Sequence, residues 1–130
     1  GKPLMFGKLG TTPLLGLPGN PVSSLVCSLL FLAPMLAQFL GRAETEPRRI
    51  SAHLGADLKA NDRREDYLRA TLERAPDGGL VAVPFRAQDS SMMATLAKAD
   101  GLIVRAPLAP ALKAGDTAEV IPLSAPGFVI

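Results

Sequence analysis

An uncharged and mostly apolar run, residues 22–40, places the strongest constraint on the fold. Asn20 and Pro21 stand before it as a helix N-cap and a first helical residue, and Gly41 follows where a left-handed C-terminal residue belongs. This pattern predicts one long helix from Pro21 to Leu40. Because apolar side chains occur on nearly every side of it, the helix has to be buried by several neighbours, a partner subunit among them.

A membrane span is the alternative interpretation of this run, whose length approaches the ~20 residues that cross a bilayer. Polar side chains and an interior proline interrupt it, and it has neither an aromatic belt nor a flanking basic loop. The interrupting residues are Ser23, Ser24, Ser28, Pro34 and Gln38. The core helix is therefore the favoured interpretation, and we expect no contact with a membrane.

Short strands and a polar connector surround the helix. Two apolar runs, 4–9 and 13–17, are separated by turn-forming residues and predict a hairpin or two neighbouring strands. After the helix, residues 43–49 form a polar, proline-containing stretch without an apolar period, which predicts a linker between domains. We therefore divide the chain into residues 1–42 and residues 50–130.

Beyond the linker, the sequence predicts a small barrel or sandwich of short strands with one short helix. One strand alternates polar and apolar side chains between Tyr67 and Glu73, and Asp77-Gly78-Gly79 joins it to the next strand as a hairpin turn would. Ser90 can cap the helix. The predicted strands are 50–56, 67–73, 80–85, 101–104 and 118–123, and the predicted helix is 90–99.

Composition and charge limit the function classes that the chain can serve. Its 14 basic and 12 acidic residues give a net charge of +2, and the basic residues are scattered, which argues against a nucleic-acid surface. The single cysteine, Cys27, sits in an apolar run, and the chain opens abruptly at Gly1 without the pattern of an export signal. We expect a truncated, cytoplasmic chain. The only histidine, His53, lies in a predicted strand and is expected at the sheet surface. Because the sequence has no Cys/His spacing typical of metal ligands, this chain is not expected to build a metal site.

The start of the long helix is the first candidate for an anion-binding site. At Gly19 the backbone can approach a ligand closely, and the helix that Asn20 caps presents unpaired N–H groups and the positive end of its dipole. An ordinary strand-to-helix turn explains the same residues equally well. Lys2 offers a second cation, although a terminal lysine is usually only solvated.

Two residues beyond the linker can also hold an oxyanion. Arg69 projects from the polar face of the alternating strand and offers a planar guanidinium group. A surface ion pair is the commoner role of such an arginine, here with Glu65, Asp66 or Glu73. Ser90 is first of all a helix cap, and its hydroxyl beside unpaired N–H groups is also a place to bind an anion.

Two motifs stand out near the start of the chain. Gly1-Lys2-Pro3 is followed by Phe6-Gly7-Lys8, and residues 16–23 read Gly-Leu-Pro-Gly-Asn-Pro-Val-Ser. Together they resemble the MoeA/gephyrin E-domain family of molybdopterin molybdenumtransferases, and the second motif is the more specific. The similarity continues beyond the linker, where residues 64–69 resemble the family's Arg-x-x-aromatic-x-Arg strand and residues 88–104 its Gln-Gly-Ser helix and following strand.

The resemblance implies an enzyme that inserts molybdate into adenylylated molybdopterin and releases AMP, with help from a divalent metal such as Mg²⁺. It also implies that residues 1–42 close an α/β pterin-binding domain and that residues 50–130 form a C-terminal β-barrel. The family further implies a homodimer, and molybdopterin adenylyltransferase as the pathway partner. Because its acidic metal ligands and most of its α/β domain lie upstream of Gly1, we expect the chain alone to be inactive.

The resemblance assigns roles to residues at matching motif positions. It implies molybdate or pterin contacts for Lys2 and Pro3. It implies phosphate or pterin contacts for Gly19, Asn20 and Ser23, and anion binding for Arg69 and Ser90.

One departure from the family pattern weakens the expected site. Asp89 stands where the family usually has a small glycine, and its carboxylate beside Ser90 opposes anion binding there. The alternative function is a non-catalytic scaffold that binds peptides, as in the gephyrin branch. With one tyrosine and no tryptophan, the chain has little from which to build the aromatic groove that such a scaffold needs.

Overall fold

A computed structural model describes residues 4–19, 21–43, 45–86, 88 and 98–123. Within these residues the chain forms two compact units, one inside residues 4–47 and the other inside residues 48–123. The first unit is a hairpin followed by helical segments, and the second is a closed barrel of five strands.

The hairpin pairs strand β1 (Met5–Leu9) with strand β2 (Thr12–Gly16) in antiparallel register. Leu9 lies opposite Thr12, so the loop has two residues, and Gly10 takes a positive φ of 64° at its first position. A glycine at this position is what the type II′ hairpin turn requires. The predicted pair of strands is confirmed.

The predicted single helix is two α-helical segments joined by a π-helical turn. Helix α1 covers Pro21–Cys27, the π turn covers Ser28–Leu32, and helix α2 covers Ala33–Phe39. In the π turn the N–H of Ala33 donates to the carbonyl of Ser28, five residues earlier. The uninterrupted apolar helix expected from the sequence is therefore not observed.

Pro34 explains where the helix changes its geometry. A proline inside a helix has no N–H to donate and its ring crowds the carbonyl four residues earlier, here that of Leu30. The π turn, which contains Leu30, widens the backbone just before the proline. In the same region the hydroxyl of Ser28 donates to the carbonyl of Ser24 at 2.8 Å. A polar side chain thus supports the backbone where the regular bonding pattern is interrupted.

The end of helix α2 follows the prediction. Gly41 has a φ of 72°, its N–H donates to Gln38 O, and the N–H of Arg42 donates to Ala37 O, each at 3.0 Å. This pair of bonds is the Schellman motif, which closes a helix at a left-handed glycine. Only Leu29 and Ala37 are buried among the described helical side chains, so within this chain the helix is covered on one side. None of the described helices is long and apolar enough to span a bilayer.

The barrel confirms the five strands predicted beyond the linker. Its neighbours follow the order β3-β5-β4-β6-β7 and the sheet closes on itself. All pairs are antiparallel except β3 and β5, which pair in parallel through two residues of each strand. The strands are β3 (Ile50–Leu54), β4 (Asp66–Arg74), β5 (Leu80–Pro84), β6 (Gly101–Arg105) and β7 (Thr117–Pro122).

Small side chains fill much of the barrel interior. Four of the seven residues in the buried core cluster are alanines, because a five-stranded barrel leaves little space around its axis. The cluster consists of Ala52, Leu54, Ala70, Ala82, Ile103, Ala118 and Val120. Most of the predicted short helix 90–99 lies outside the described residues, and the assignment of residues 1–42 to an α/β domain stays a prediction.

The tight interior makes Gly101 a sensitive position. A methyl group at Gly101 would lie 2.8 Å from Cγ1 of Val120 and 3.3 Å from the carbonyl oxygen of Ile121. We expect Gly101→Ala to lower the free energy of unfolding by about 1–3 kcal/mol, as overpacking of a filled core does. Urea denaturation followed by circular dichroism measures this change. In the control Gly7→Ala the added methyl group meets no atom within 4 Å; equal stability of both variants would contradict the packing argument.

Candidate functional site

Among the predicted site residues, Arg69 has the position that says most about the site. The side chains of Leu68, Ala70 and Leu72 belong to or pack against the barrel core, so Arg69 stands on the outer face of strand β4. Its side chain is nevertheless only 3% exposed. This degree of burial does not fit a solvated surface ion pair. A buried guanidinium group favours a negative partner, because desolvation of its charge is costly without one.

The side chain of Gln88 holds the backbone of Arg69 from one side. Its Nε2 donates to the carbonyl of Arg69 and its Oε1 accepts from the N–H of Arg69, each at 2.9 Å. The same Nε2 also donates to the carbonyl of Phe85 at 2.9 Å. The amide of Gln88 therefore pairs with β4 as the peptide group of a neighbouring strand would.

The end of strand β5 explains why a side chain takes this place. Pro84, opposite Ala70, is the last residue of β5, so the regular pairing with β4 ends just before the position opposite Arg69. One further backbone bond, from Phe85 N to Arg69 O at 3.0 Å, continues the pairing. Without Gln88, the N–H of Arg69 would lose its partner on this edge. The sequence contained this residue in a family motif, but no local pattern indicated its contacts.

Asp100 performs the equivalent role at the other edge of strand β4. Its Oδ2 accepts from the N–H of Leu72 at 3.0 Å, and its own N–H donates to the carbonyl of Ala70 at 2.9 Å. Its carbonyl also accepts from the N–H of Leu123. The stretch of β4 that carries Arg69 is thus held by side chains from both neighbouring segments.

The remaining predicted site residues are distributed between the described and undescribed parts of the chain. Lys2, Pro3, Asn20 and Ser90 lie outside the described residues, as does Asp89. Gly19 and Ser23 belong to the unit of hairpin and helix. A methyl group at Gly19 would meet no atom within 4 Å, so the backbone there is open to a ligand.

The described residues do not fit the magnesium ion that the family implies. No group of three or more His, Cys, Asp or Glu side chains in the described ranges is arranged to hold a metal ion. His53 is exposed on strand β3, and its Nδ1 lies 3.1 Å from the carbonyl oxygen of Gly115, which agrees with its predicted place at the sheet surface. Cys27 is half-buried, and burial raises the pKa of its thiol.

Tyr67 flanks Arg69 on the outer face of strand β4. Its hydroxyl donates to Oε2 of Glu65 at 2.8 Å. Burial, and secondly this bond to Glu65, raise the pKa of Tyr67 to about 12, although the positive charge of Arg49 opposes them. Arg49 forms an ion pair with Glu119 at 3.1 Å. These groups make a charged network at the barrel surface.

Residues 51–123 match the family described as MoeA C-terminal region (domain IV). The chain is 30% identical over 125 residues to a molybdopterin molybdenumtransferase of Haemophilus influenzae, covering 95% of this chain and 31% of that protein. It is 32% identical to molybdopterin molybdenumtransferase 1 of Mycobacterium tuberculosis, covering 88% and 28%. The chain therefore spans about a third of the length of these curated relatives.

Solved structures show the same similarity. The molybdopterin biosynthesis MoeA protein of Pyrococcus horikoshii superposes with a TM-score of 0.76 at 29% identity, covering 96% of this chain and 30% of that one. A molybdenum cofactor biosynthesis protein of Pyrococcus furiosus shares the fold, with a TM-score of 0.65 at 18% identity, covering 88% of this chain and 39% of that one.

Replacement of Gln88 tests whether its amide holds strand β4. Gln88→Met keeps the approximate shape of the side chain but removes three hydrogen bonds, so we expect a loss of about 1–3 kcal/mol in the free energy of unfolding. Urea denaturation measures this loss, and hydrogen exchange should show a less protected N–H at Arg69. The same substitution at Gln38, which is exposed on helix α2, should change stability by less than about 0.5 kcal/mol. Unchanged exchange at Arg69 in Gln88→Met would contradict this role.

Tyr67 gives a prediction for alkaline pH. Because its pKa is higher in the folded chain, its contribution to stability is complete below about pH 10, the ordinary tyrosine pKa, and is lost as the pH rises through about 12. As the only tyrosine, Tyr67 can be titrated directly by phenolate absorbance. Glu65→Gln should lower the midpoint while leaving it above 10, since burial is the larger cause. Glu73→Gln is the control, and a wild-type midpoint near 10 contradicts the prediction.

Proposed function

The chain belongs to the MoeA C-terminal region (domain IV) family, and we propose that it supplies the barrel domain and part of the active-site cleft of a molybdopterin molybdenumtransferase. The proposed reaction inserts molybdate into adenylylated molybdopterin and releases AMP. It belongs to the biosynthesis of the molybdenum cofactor. Two named relatives of this family, at 30% and 32% identity, support this proposal.

The burial of Arg69 on the outer face of the barrel is the observation that carries the proposal. Molybdate is a tetrahedral dianion, and a guanidinium group can direct several N–H groups at its oxygen atoms. An arginine that is shielded from water binds an anion more strongly than an exposed one, because solvent screens the charge less. The contacts of Gln88 and Asp100 keep the strand beneath Arg69 in place, so the guanidinium group is carried by a rigid element.

We assign the other site residues by their motif positions. Ser90 joins Arg69 in binding the anion. The remaining five residues contact molybdate, the phosphate group or the pterin of the substrate; they are Lys2, Pro3, Gly19, Asn20 and Ser23. The open backbone at Gly19 supports close approach by such a ligand.

Three further parts of the proposal concern groups outside this chain. Mg²⁺ is held by acidic ligands upstream of this chain, as the family resemblance implies. The complete enzyme is a cytoplasmic homodimer that receives its substrate from molybdopterin adenylyltransferase. The present chain alone is inactive, since it spans about a third of its curated relatives.

A chimeric enzyme tests the role of Arg69. In it, this chain replaces the matching region of the Haemophilus influenzae relative, and purified protein is assayed for cofactor formation at limiting molybdate. We expect Arg69→Ala to lower activity by about 10²–10³-fold, the usual effect of removing a preorganised donor to a charged group. Arg69→Lys should retain part of the activity, because it keeps the charge and loses the planar arrangement of donors.

The control variant is Glu73→Ala, which changes an exposed side chain of the same strand. It should retain the activity of the unmodified chimera. Circular dichroism checks that each variant is folded, and molybdate affinity measured by calorimetry separates binding from chemistry. Full activity in folded Arg69→Ala would remove Arg69 from the proposed site.

A further inference from the structure

A second buried arginine, Arg105, lies at one end of the barrel. It is the last residue of strand β6, and its side chain is 4% exposed. Gly101, Ile103 and Arg105 share one face of the strand by alternation, and Ile103 belongs to the core. Arg105 therefore stands where the apolar interior of the barrel meets an open cleft of about 490 Å³.

The guanidinium group of Arg105 retains donors for a ligand. Its Nη2 donates to the carbonyl of Lys59 at 2.8 Å and to that of Pro110 at 2.7 Å. Its Nε and Nη1 make no hydrogen bond within the described residues. Asp66 is directly opposite Arg105 in the ladder between β4 and β6, yet the two side chains form no ion pair. In the part of the chain that the structure describes, the guanidinium group hydrogen-bonds only to main-chain carbonyls, whose dipoles offset the cost of burying a cation incompletely.

The wall beside Arg105 is held in place before any ligand arrives. The side-chain amide of Asn61 donates to the carbonyls of Arg105 and Ala106 at 3.1 and 2.9 Å. The backbone N–H of Leu108 donates to the carbonyl of Asp62 at 2.6 Å. Leu108 has a φ of 59°, a conformation that residues other than glycine rarely adopt. A cleft whose loops are already fixed pays little conformational entropy on binding.

The chemistry of the lining selects the class of ligand. Four apolar side chains larger than alanine line its walls, and the buried cation of Arg105 stands among them at the barrel end. Acidic and basic side chains both occur around the cleft, so its surroundings carry no strong net charge. The apolar side chains are Leu58, Leu68, Pro84 and Phe85. A ligand with an apolar body and a single anionic group matches this distribution.

We propose that this cleft binds the carboxylate group of a small ligand with an apolar body, and that Arg105 holds the carboxylate. The ligand is either a free carboxylic acid or the C-terminal carboxylate of a peptide, since both present the same group. Arg69 does not line the cleft. The proposal is therefore independent of the role assigned to Arg69 in molybdate binding.

Titration of this chain with defined probes tests the proposal. N-acetyl-leucine carries a carboxylate and an apolar side chain, and N-acetyl-leucinamide is the matched neutral probe. By NMR we expect N-acetyl-leucine to shift the amide signals of Leu58, Leu68 and Phe85, with an affinity at least tenfold higher than that of the amide. A leucine-ending peptide, with a free or an amidated C-terminus, distinguishes the two sources of the carboxylate.

Three variants locate the binding site. Arg105→Gln should weaken N-acetyl-leucine binding at least tenfold, and Arg63→Gln, at an exposed position outside the cleft, should leave it unchanged. Ala60→Trp places a large side chain in the cleft from an exposed position and leaves the hydrogen bonds of Arg105 intact. It should abolish binding, and it serves as the test if Arg105→Gln does not fold. Equal binding of acid and amide by the wild-type chain overturns the proposal. Displacement of N-acetyl-leucine by molybdate would also overturn it, because the cleft would then be an oxyanion site.

Discussion

The hydrogen bonding of strand β4 is the constraint on which the barrel and its candidate site both depend. β4 lies between β5 and β6, but β5 ends at Pro84, and beyond it only the N–H of Phe85 still pairs with the backbone of Arg69. The amide of Gln88 completes the ladder on one side, and Asp100 completes it on the other. Each contact is made by one side chain, from a segment that lies beside β4 but is distant from Arg69 in the sequence. Because an unpaired buried N–H costs about 1–3 kcal/mol, loss of either contact loosens the strand that carries Arg69.

Local physical chemistry accounts for most of the fold that could be predicted from the sequence. The five barrel strands, the hairpin and the Schellman end at Gly41 follow from alternation, turn residues and the conformational freedom of glycine. Each of these signals is contained in a few neighbouring residues. The π turn before Pro34 was missed, because apolar periodicity describes which residues are buried but not how the backbone adapts to a missing donor.

The contacts of the site were less predictable, since they join residues distant in sequence. Gln88 is 19 residues from Arg69, and Arg105 is 46 residues from the carbonyl of Lys59 that it binds. The position of Arg69 on a polar strand face could be predicted, but its burial could not, because neighbours that lie far away in sequence determine it. The family motif assigned an anion-binding role to Arg69 through resemblance alone. The structure adds that this guanidinium group is shielded from solvent and stands on a strand that is held at both edges.

The two arginines that are buried among the described barrel residues have different surroundings, and different ligands are proposed for them accordingly. Arg105 directs two N–H groups at main-chain carbonyls of neighbouring loops, so part of its hydrogen-bonding capacity maintains the end of the barrel. A ligand there can use only the remaining donors, and it meets apolar walls in addition. Arg69 stands on the outer face of β4, outside this cleft, and the ligand proposed for it is a multiply charged oxyanion. The two proposals are therefore chemically distinct: a dianion without apolar surface is assigned to Arg69, and a carboxylate with an apolar body to the cleft beside Arg105.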